Sequence, residues 1–590
     1  MDKLPFVFSG EKSYYIGFSD MTSRSLGYHI KDEMNGLWIP PLRILKWITV
    51  SVEGKYMSPN FMEIGIASRK FYFSSFTIEF MASDEGEMAV RFVKSEEYKG
   101  KVNIHMELGI IPVWFSENPA DFTIMEKEDG IHIWERNYGM QIRIYSCPDE
   151  RYSLDGNTIT YSLTEDAIII ISSSETSVEN GLSASERISK YAEKKESKFY
   201  SRLKIKSTRQ IEDALDLAML NLEWLTLNVD RIGRGIVAGY PEFPWFFGID
   251  TYYCENGMLL CGMEQEYSGS LGLIEKYAEV QKGRIPHEIV SNGRIFNKGN
   301  VVESIVYPKM VYDLYNWTGD LSILRDRSKL METTFSKFLT GEINGTGIME
   351  DPQAGSGLDI DVLCNYVESL KAMILISDKT GVMADSRGKM REEIRDKTRF
   401  LEREMWMKEI SGYADRYRDG VPQFNGFWTT IIPFSINLGS REHFRDFING
   451  SVAYDRIACK EGIKVDSGGN VMPNGNSTMV KACFNYGEDP MGMDFFNLNL
   501  KVLGKYSFGC FPEISNNESG CFIQAWSAAM FIENLLNDIF AMRIHNESLE
   551  VSSNSSIPEI FNGTEISGIK FRRKEYKISI IDSRATLVQN

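Results

Sequence analysis

Long apolar runs are missing from this chain, and so is any excess of positive charge. The longest purely apolar stretches, such as Ala167-Ile-Ile-Ile-Ile171, are strand-sized and fall far short of the ~20 residues that cross a bilayer. Acidic residues number 82 against 65 lysines and arginines, a formal net charge of -17. That balance repels phosphate backbones and anionic lipid, so neither nucleic acid nor membrane is an expected partner. Neutral sugars are indifferent to it. Cysteine is sparse, eight in 590 residues with no CxxC pair, and Cys261, Cys364 and Cys483 sit inside apolar segments. Free buried thiols in a reducing compartment, and hence a cytoplasmic location, are the expectation. The six histidines (His29, His105, His132, His287, His443, His545) show no metal-ligand spacing, so no metal is expected. Met1-Asp-Lys-Leu-Pro-Phe-Val-Phe-Ser-Gly10 has neither a long apolar run nor a small-residue cleavage site, and no signal peptide is read there.

With 43% hydrophobic and 25% charged residues, the composition is that of a globular protein large enough for several domains. Residues 1–180 read as β. Lys46-Trp-Ile-Thr-Val-Ser-Val-Glu53, Phe71-Tyr-Phe-Ser-Ser-Phe-Thr-Ile-Glu-Phe80 and Val102-Asn-Ile-His-Met-Glu-Leu108 alternate, at turn spacings that suit an antiparallel sandwich. A polar patch, residues 172–181, closes this region, and residues 181–205 read as a linker helix. From about Gln210 the period becomes helical, with Ile211, Ala214, Leu215, Ala218, Leu222 and Leu225 at three- and four-residue steps. Comparable segments follow at Ser322–Leu339, Val362–Ser377, Arg387–Met405 and Ala525–Met542. Helices alternating with Gly-, Pro- and Asn-rich loops through residues 206–545 suit a toroid of helical hairpins, although periodicity alone equally allows a solenoid or a bundle. Residues 546–590 return to strand-like alternation, as in Tyr576-Lys-Ile-Ser-Ile-Ile581, and read as a small β appendage.

The most informative stretch is Gly509-Cys-Phe-Pro-Glu-Ile-Ser-Asn-Asn-Glu-Ser-Gly-Cys-Phe-Ile-Gln-Ala-Trp-Ser-Ala-Ala-Met530. It sets Glu513 on a glycine-bounded loop that runs into an apolar helix opening at Gln524-Ala-Trp-Ser527. It resembles the "SEIFDG" and "GCxxQAWS" signature of the amylo-α-1,6-glucosidase part of glycogen debranching enzymes, in the six-hairpin glycosidase superfamily. Further segments carry the same resemblance, in the same order along the chain. Gly36-Leu-Trp-Ile-Pro-Pro-Leu-Arg43 resembles "GLWxPPxR", and Ala238-Gly-Tyr-Pro-Glu-Phe-Pro-Trp-Phe-Phe-Gly-Ile-Asp-Thr-Tyr252 is similar to "AGYPWFxxWGRDTF". Gly283-Arg-Ile-Pro-His-Glu-Ile289 resembles "GxIPHEI", and Glu303 falls where relatives carry Asp in "ADxTP". Gly347-Ile-Met-Glu-Asp-Pro-Gln-Ala-Gly355 looks like "WMDAKVG". Trp317-Thr-Gly-Asp320 matches a common "TGD" terminator, read here as a glycine helix C-cap.

The resemblance implies a mainly α fold, an (α/α)6 six-hairpin toroid behind an N-terminal antiparallel β-sandwich. It also implies an inverting glycoside hydrolase acting on α-glucosidic linkages, such as an α-1,6-linked glucose or a short gluco-oligosaccharide. Inversion needs two facing carboxyls, one protonating the leaving oxygen and one deprotonating water. By the resemblance Glu513 is the base, with neighbouring Glu518 its fallback, and Asp351 is the acid with Glu350 as its rival. Asp250 would hold sugar hydroxyls. Tyr240, Trp245 and Phe246 would form the pocket wall, and His287, Glu288, Glu303, Gln524 and Trp526 would line the pocket. No cofactor is needed. Two departures stand out: Glu242-Phe243 are inserted in the wall motif, and Ile249 replaces the family arginine before Asp250. The alternatives are another six-hairpin enzyme (a trehalase, a mannosyl-glycerate type hydrolase or a phosphorylase) and a sugar-binding relative that has lost turnover.

Overall fold

A computed structural model of the chain describes residues 3–84, 86–173, 183–299, 301–339, 358–552 and 557–589. The front of the chain folds into two antiparallel eight-stranded sheets. One runs in the order 5–9, 14–18, 36–39, 42–52, 102–112, 158–163, 152–155, with 55–56 beside 42–52; the other runs 122–127, 130–135, 140–147, 167–172, 88–94, 76–82, 68–72, 61–64. Alternation along Val102–Pro112 buries Val102, Ile104, Met106, Leu108 and Ile110. These meet Phe71, Ile78, Phe80, Val90, Ile131, Ile144 and Ile169 of the opposing sheet in one core, the arrangement of a sandwich. The apparent single run 71–80 is two strands, Ser68–Tyr72 and Phe76–Ala82, folded at Ser74-Ser75. Phe73 and Phe76 stack across that turn at 4.4 Å.

Helix α1 (Ala184–Tyr200) opens on a capping box in which Ser183 Oγ accepts the Glu186 N–H and Glu186 returns a carboxylate to the Ser183 N–H. Arg187 on α1 reaches back to the buried Glu87 of the sandwich, Nε to Oε2 at 3.1 Å. Among the described residues thirteen further helices follow: α2 (Arg209–Trp224), α3 (Gly248–Leu260), α4 (Glu264–Val280), α5 (Val301–Thr318), α6 (Ser322–Leu339), α7 (Ile360–Thr380), α8 (Arg387–Phe400), α9 (Ile432–Ser435), α10 (Arg441–Ile448), α11 (Val452–Ile457), α12 (Pro473–Tyr486), α13 (Asp489–Val502) and α14 (Ala525–Glu533). Helices α3, α5, α7, α9, α12 and α14 pack one on the next, and α14 returns to α3. Against this inner series lie α2 on α14, α4 on α3, α6 on α5, α8 on α7 and α13 on α12. Phe444 and Phe447 of α10 cover Phe434 of α9. The α3–α14 contact is so close that a Cβ on Gly257 would meet the Ala529 carbonyl oxygen at 2.3 Å. Glycine in mid-helix is the cost of that approach.

With sixteen strands before α1 and more between the helices, the expected predominance of helix does not hold; strand and helix share the chain. Strand Lys204–Lys206, which follows α1, pairs with Glu565–Phe571 in a four-stranded sheet completed by Lys574–Ile581 and Arg584–Gln589. The C-terminal strands therefore clamp the linker. Helix α5 ends as read from Trp317-Thr-Gly-Asp320, with Gly319 at φ +74° donating its N–H to the Tyr315 carbonyl at 2.7 Å.

An ionic cluster joins α3 and α5. Lys309 of α5 bonds Glu255 Oε1 of α3 at 3.1 Å and also the Asp313 carboxylate, and the Tyr267 hydroxyl donates to Glu255 Oε2 at 2.9 Å. Burial opposes the Lys309 ammonium, but Asp313 and Glu255 outweigh it and hold the lysine protonated. Lys309→Met should therefore leave the buried Glu255 and the half-buried Asp313 without their cation. A loss of about 3–5 kcal/mol in urea-induced unfolding is expected, as for a buried ion pair stripped of one partner.

Candidate active site

A six-stranded sheet gathers the motif residues on one side of the helical ring. Its strands are 226–229, 233–240, 243–247, 288–289 and 295–297, with Ile523–Gln524 added beside 233–240 through the pairs Gly239↔Gln524 and Tyr240↔Ile523. Segments nearly three hundred positions apart in sequence are thus stitched together by backbone hydrogen bonds. Strand alternation sorts the aromatics of 243–247. Trp245 and Phe247 share one cluster with Ala238 and Met34, whereas Phe246 points into the core of the helical region. Trp245 stacks on Trp114 of the sandwich domain at 4.8 Å and donates its Nε1–H to Glu288 Oε2 at 3.2 Å. Phe247 meets the His287 ring edge-on at 5.3 Å.

The expected wall residues fall on different faces of this sheet. Tyr240 is fully buried, its ring 4.6 Å from Tyr14 and its hydroxyl bonded to the Trp224 carbonyl at 3.4 Å. Phe246 lies on the opposite strand face from Trp245. Both lie away from the Trp245 face, which Phe247 and Trp114 share.

Asp250 stands in the first turn of α3, 5% exposed. Burial pushes its carboxyl up to about 7; the His287 charge opposes that, while Glu513 and Glu288 add to it. Gln524 Nε2 donates to Asp250 Oδ1 at 3.3 Å. His287 Nδ1 bonds Glu303 Oε1 at 2.5 Å, and its Nε2 lies 3.9 Å from Glu288 Oε1. Burial works against a charged His287, but Glu303, then Asp250 and Glu288, hold its pKa above the ordinary value. Asp250, His287, Glu288, Glu303 and Gln524 therefore form one cluster, with His287 as its cation. Gln524 Oε1, Trp526 Nε1 and Glu303 Oε2 are buried with no hydrogen-bond partner among the described residues, as groups waiting for a polar ligand would be. Trp526 sits edge-on to Tyr253 at 6.4 Å.

Glu513 is held from every side. Asn221 of α2 donates to the Gly509 carbonyl at 2.7 Å and accepts the Phe511 N–H at 2.8 Å. Ser527 Oγ bonds the Pro512 carbonyl at 2.8 Å, and Ser515 N–H bonds the Val471 carbonyl at 2.7 Å. The Glu513 N–H reaches the Cys521 carbonyl at 2.9 Å, and the Cys521 N–H returns to Glu513 Oε2 at 2.8 Å. Burial raises the Glu513 pKa and the Cys521 N–H pulls it back, with Glu242 adding to the rise and His29 opposing it. Glu518 is exposed. At Gly520 the backbone has φ +80°, and a Cβ there would meet Glu513 Oε2 at 2.5 Å. Gly520→Ala should push the carboxylate out of place and lower kcat at least about tenfold, because an ångström-scale misplacement is that costly. Turnover and a thermal unfolding curve taken together check this.

Glu350 and Asp351 lie outside the described residues. The segment that follows them, Leu358-Asp-Ile-Asp-Val-Leu363, opens α7 at Ile360, and Asp359 is locked there by Arg416, Nε to Oδ1 at 2.6 Å and Nη2 to Oδ2 at 3.1 Å. Trp114 and His29 gather beside Trp245, and Tyr28 beside His29 and Phe243, with no motif to announce them. They meet only because the sandwich packs on the site sheet.

No family model matches the chain, and no curated protein matches it. Its fold does match solved structures. A protein described as a kojibiose phosphorylase from the human microbiome superposes at TM-score 0.64 with 10% identity, covering 99% of this chain and 93% of that one. A bacterial glucoamylase, solved with acarbose, superposes at TM-score 0.63 with 10% identity, covering 90% and 93%. A GH78 family rhamnosidase of Bacillus sp. GL1 follows at TM-score 0.53 with 10% identity, over 83% of this chain and 52% of that one.

Proposed function

We infer that the protein is a glycoside-active enzyme, and that it hydrolyses α-glucosides with inversion of the anomeric carbon. The inner series of helices closing on itself is read as the (α/α)6 toroid, with the site sheet on its rim. The observation that carries the reading is Glu513: a carboxylate fixed by a Cys521 N–H on a rigid loop, within electrostatic reach of Asp250. In this mechanism Glu513 takes a proton from the attacking water. Asp250, Gln524 and Trp526 receive the hydroxyls of the terminal sugar, His287 supplies the cation that Ile249 cannot, and Asp351 or Glu350 protonates the leaving oxygen. A base whose pKa is raised by burial abstracts protons more effectively near neutrality than an ordinary surface glutamate. The finer reading, by resemblance to the debranching family, is an α-1,6-linked glucose as the group removed.

Phosphorolysis is the second reading, favoured by the likeness to the kojibiose phosphorylase fold. It would use inorganic phosphate where hydrolysis uses the Glu513-activated water. The two separate in one experiment. The chain is incubated with isomaltose, maltose, kojibiose and trehalose, with and without phosphate, and the anomer of the product is followed by NMR. Release of β-glucose that is independent of phosphate is expected. A sugar 1-phosphate formed only when phosphate is present would replace the hydrolase reading, and sugar binding without turnover would leave a binding protein.

A further inference from the structure

Glu242 and Phe243, the two residues that interrupt the wall motif, have no part in the hydrolysis described above, yet Glu242 is only 3% exposed. A carboxylate buried this far needs partners, and its hydrogen bonds come from one segment of the sandwich domain. The Tyr28 N–H lies 3.1 Å from Oε1 and 3.0 Å from Oε2, and the His29 N–H donates to Oε2 at 3.2 Å. His29 Nδ1 stands 3.4 Å from the same oxygen. The His29 ring is wedged among Trp114, Phe243 and Trp245 at 4.8, 4.9 and 5.2 Å. The inserted pair thus grips the sandwich segment at two points, the carboxylate on the backbone and the phenyl ring on the imidazole.

What this grip presents is Tyr28. Its ring rests on His29 at 4.5 Å and meets Phe243 edge-on at 6.4 Å, yet the residue is 57% exposed. Phe243 in turn meets Phe247 edge-on at 5.6 Å, and Phe247 meets the His287 ring at 5.3 Å, so Tyr28 stands at the end of an aromatic row that borders the acidic cluster; burial, then Cys521, Glu513, Glu242 and Glu288, raise its phenol pKa. We propose that the segment around Tyr28, latched by Glu242, is one lip of the site, and that Tyr28 stacks on the saccharide bound there. The proposal rests on the carbohydrate reading of the site and adds to it a residue and a substrate preference. An exposed ring offers its face to the C–H face of a pyranose. The carboxylates of Glu242 beneath it and of Glu288, bonded to Trp245 beside His29, repel anionic sugars, so the lip suits neutral saccharides over phosphorylated or uronic ones.

Calorimetry with isomaltose, maltose, kojibiose and glucuronic acid tests this on the full chain. Tyr28→Ala should weaken binding of the neutral sugars, and raise KM, about tenfold with a smaller effect on kcat, while Tyr28→Phe restores most of the affinity. Glu242→Gln should release the latch, so that amides 27–34 exchange faster with deuterium and KM rises as in Tyr28→Ala; thermal unfolding controls for folding. Unchanged affinity in Tyr28→Ala for a sugar that the wild-type chain binds overturns the lip and leaves the hydrolase standing. Amides that stay protected in Glu242→Gln overturn the latch, and glucuronic acid binding as tightly as the neutral sugars overturns the preference. No binding of any saccharide by the wild-type chain overturns this proposal together with the reading it rests on.

Discussion

Glu513→Gln should abolish turnover almost completely, lowering kcat by about a thousandfold while saccharide binding persists. General-base catalysis is worth roughly 10²–10⁴ in rate, and an amide cannot take the proton from water. The fold has little reason to notice the change. The Cys521 N–H that now bonds Glu513 Oε2 at 2.8 Å finds the amide oxygen in nearly the same place, and the loop is held independently by Asn221, Ser515 and Ser527. Glu518→Gln is the internal control: it sits five residues on, exposed, and turnover there should stay near the wild-type rate. Steady-state kinetics with calorimetry on both variants checks the claim. Hydrolysis surviving in Glu513→Gln would remove the proposed base, and a collapse in Glu518→Gln would move that role by five residues.

How much of this was legible in the sequence differs by element, for physical reasons. Helices α2, α6 and α8 were readable because each presents one apolar stripe to the ring and a polar face outward. Of the inner helices α7 and α14 were readable too, whereas α3, α5 and α12, buried on both sides, show no stripe to detect. Helix α12 is the extreme case. Pro473-Asn-Gly-Asn476 reads as a turn, but Asn476 is fully buried, accepting the Ile463 N–H at 2.8 Å and donating to Asn499 at 3.0 Å. In the site, the Glu513 loop is readable from its motif, whereas the Pro-Trp-Phe match falls on Phe246 and only strand parity tells that Phe247 is the ring facing His287. Trp114, His29 and Tyr28 carry no local signal at all. Their place beside Trp245 is set by how the sandwich docks on the site sheet, a contact between segments more than a hundred residues apart.

The second large effect is expected at His287, and its signature is a displaced pH profile. Asp250 titrates at about 7 because burial disfavours its carboxylate, and the His287 charge is the force acting the other way. Removing that cation in His287→Asn favours the neutral acid, so the Asp250 pKa must rise. If the sugar is held by ionised Asp250, the acid limb of kcat/KM moves to higher pH. Any such rise lowers the ionised fraction of Asp250 near neutral pH. Lost contacts among Asp250, Glu288 and Glu303 add to this, for a fall of about a hundredfold at pH 7 that is partly recovered on the alkaline side. Glu303→Gln provides the companion test. It leaves the imidazole in place but withdraws the carboxylate bonded at 2.5 Å that keeps it charged, so the limb should move the same way with a smaller loss. A structural role alone, His287 packing edge-on against Phe247, predicts a lower rate with the limb unmoved. A profile that falls uniformly at every pH would therefore strip His287 of its electrostatic part and leave Asp250 without a cation to tune it.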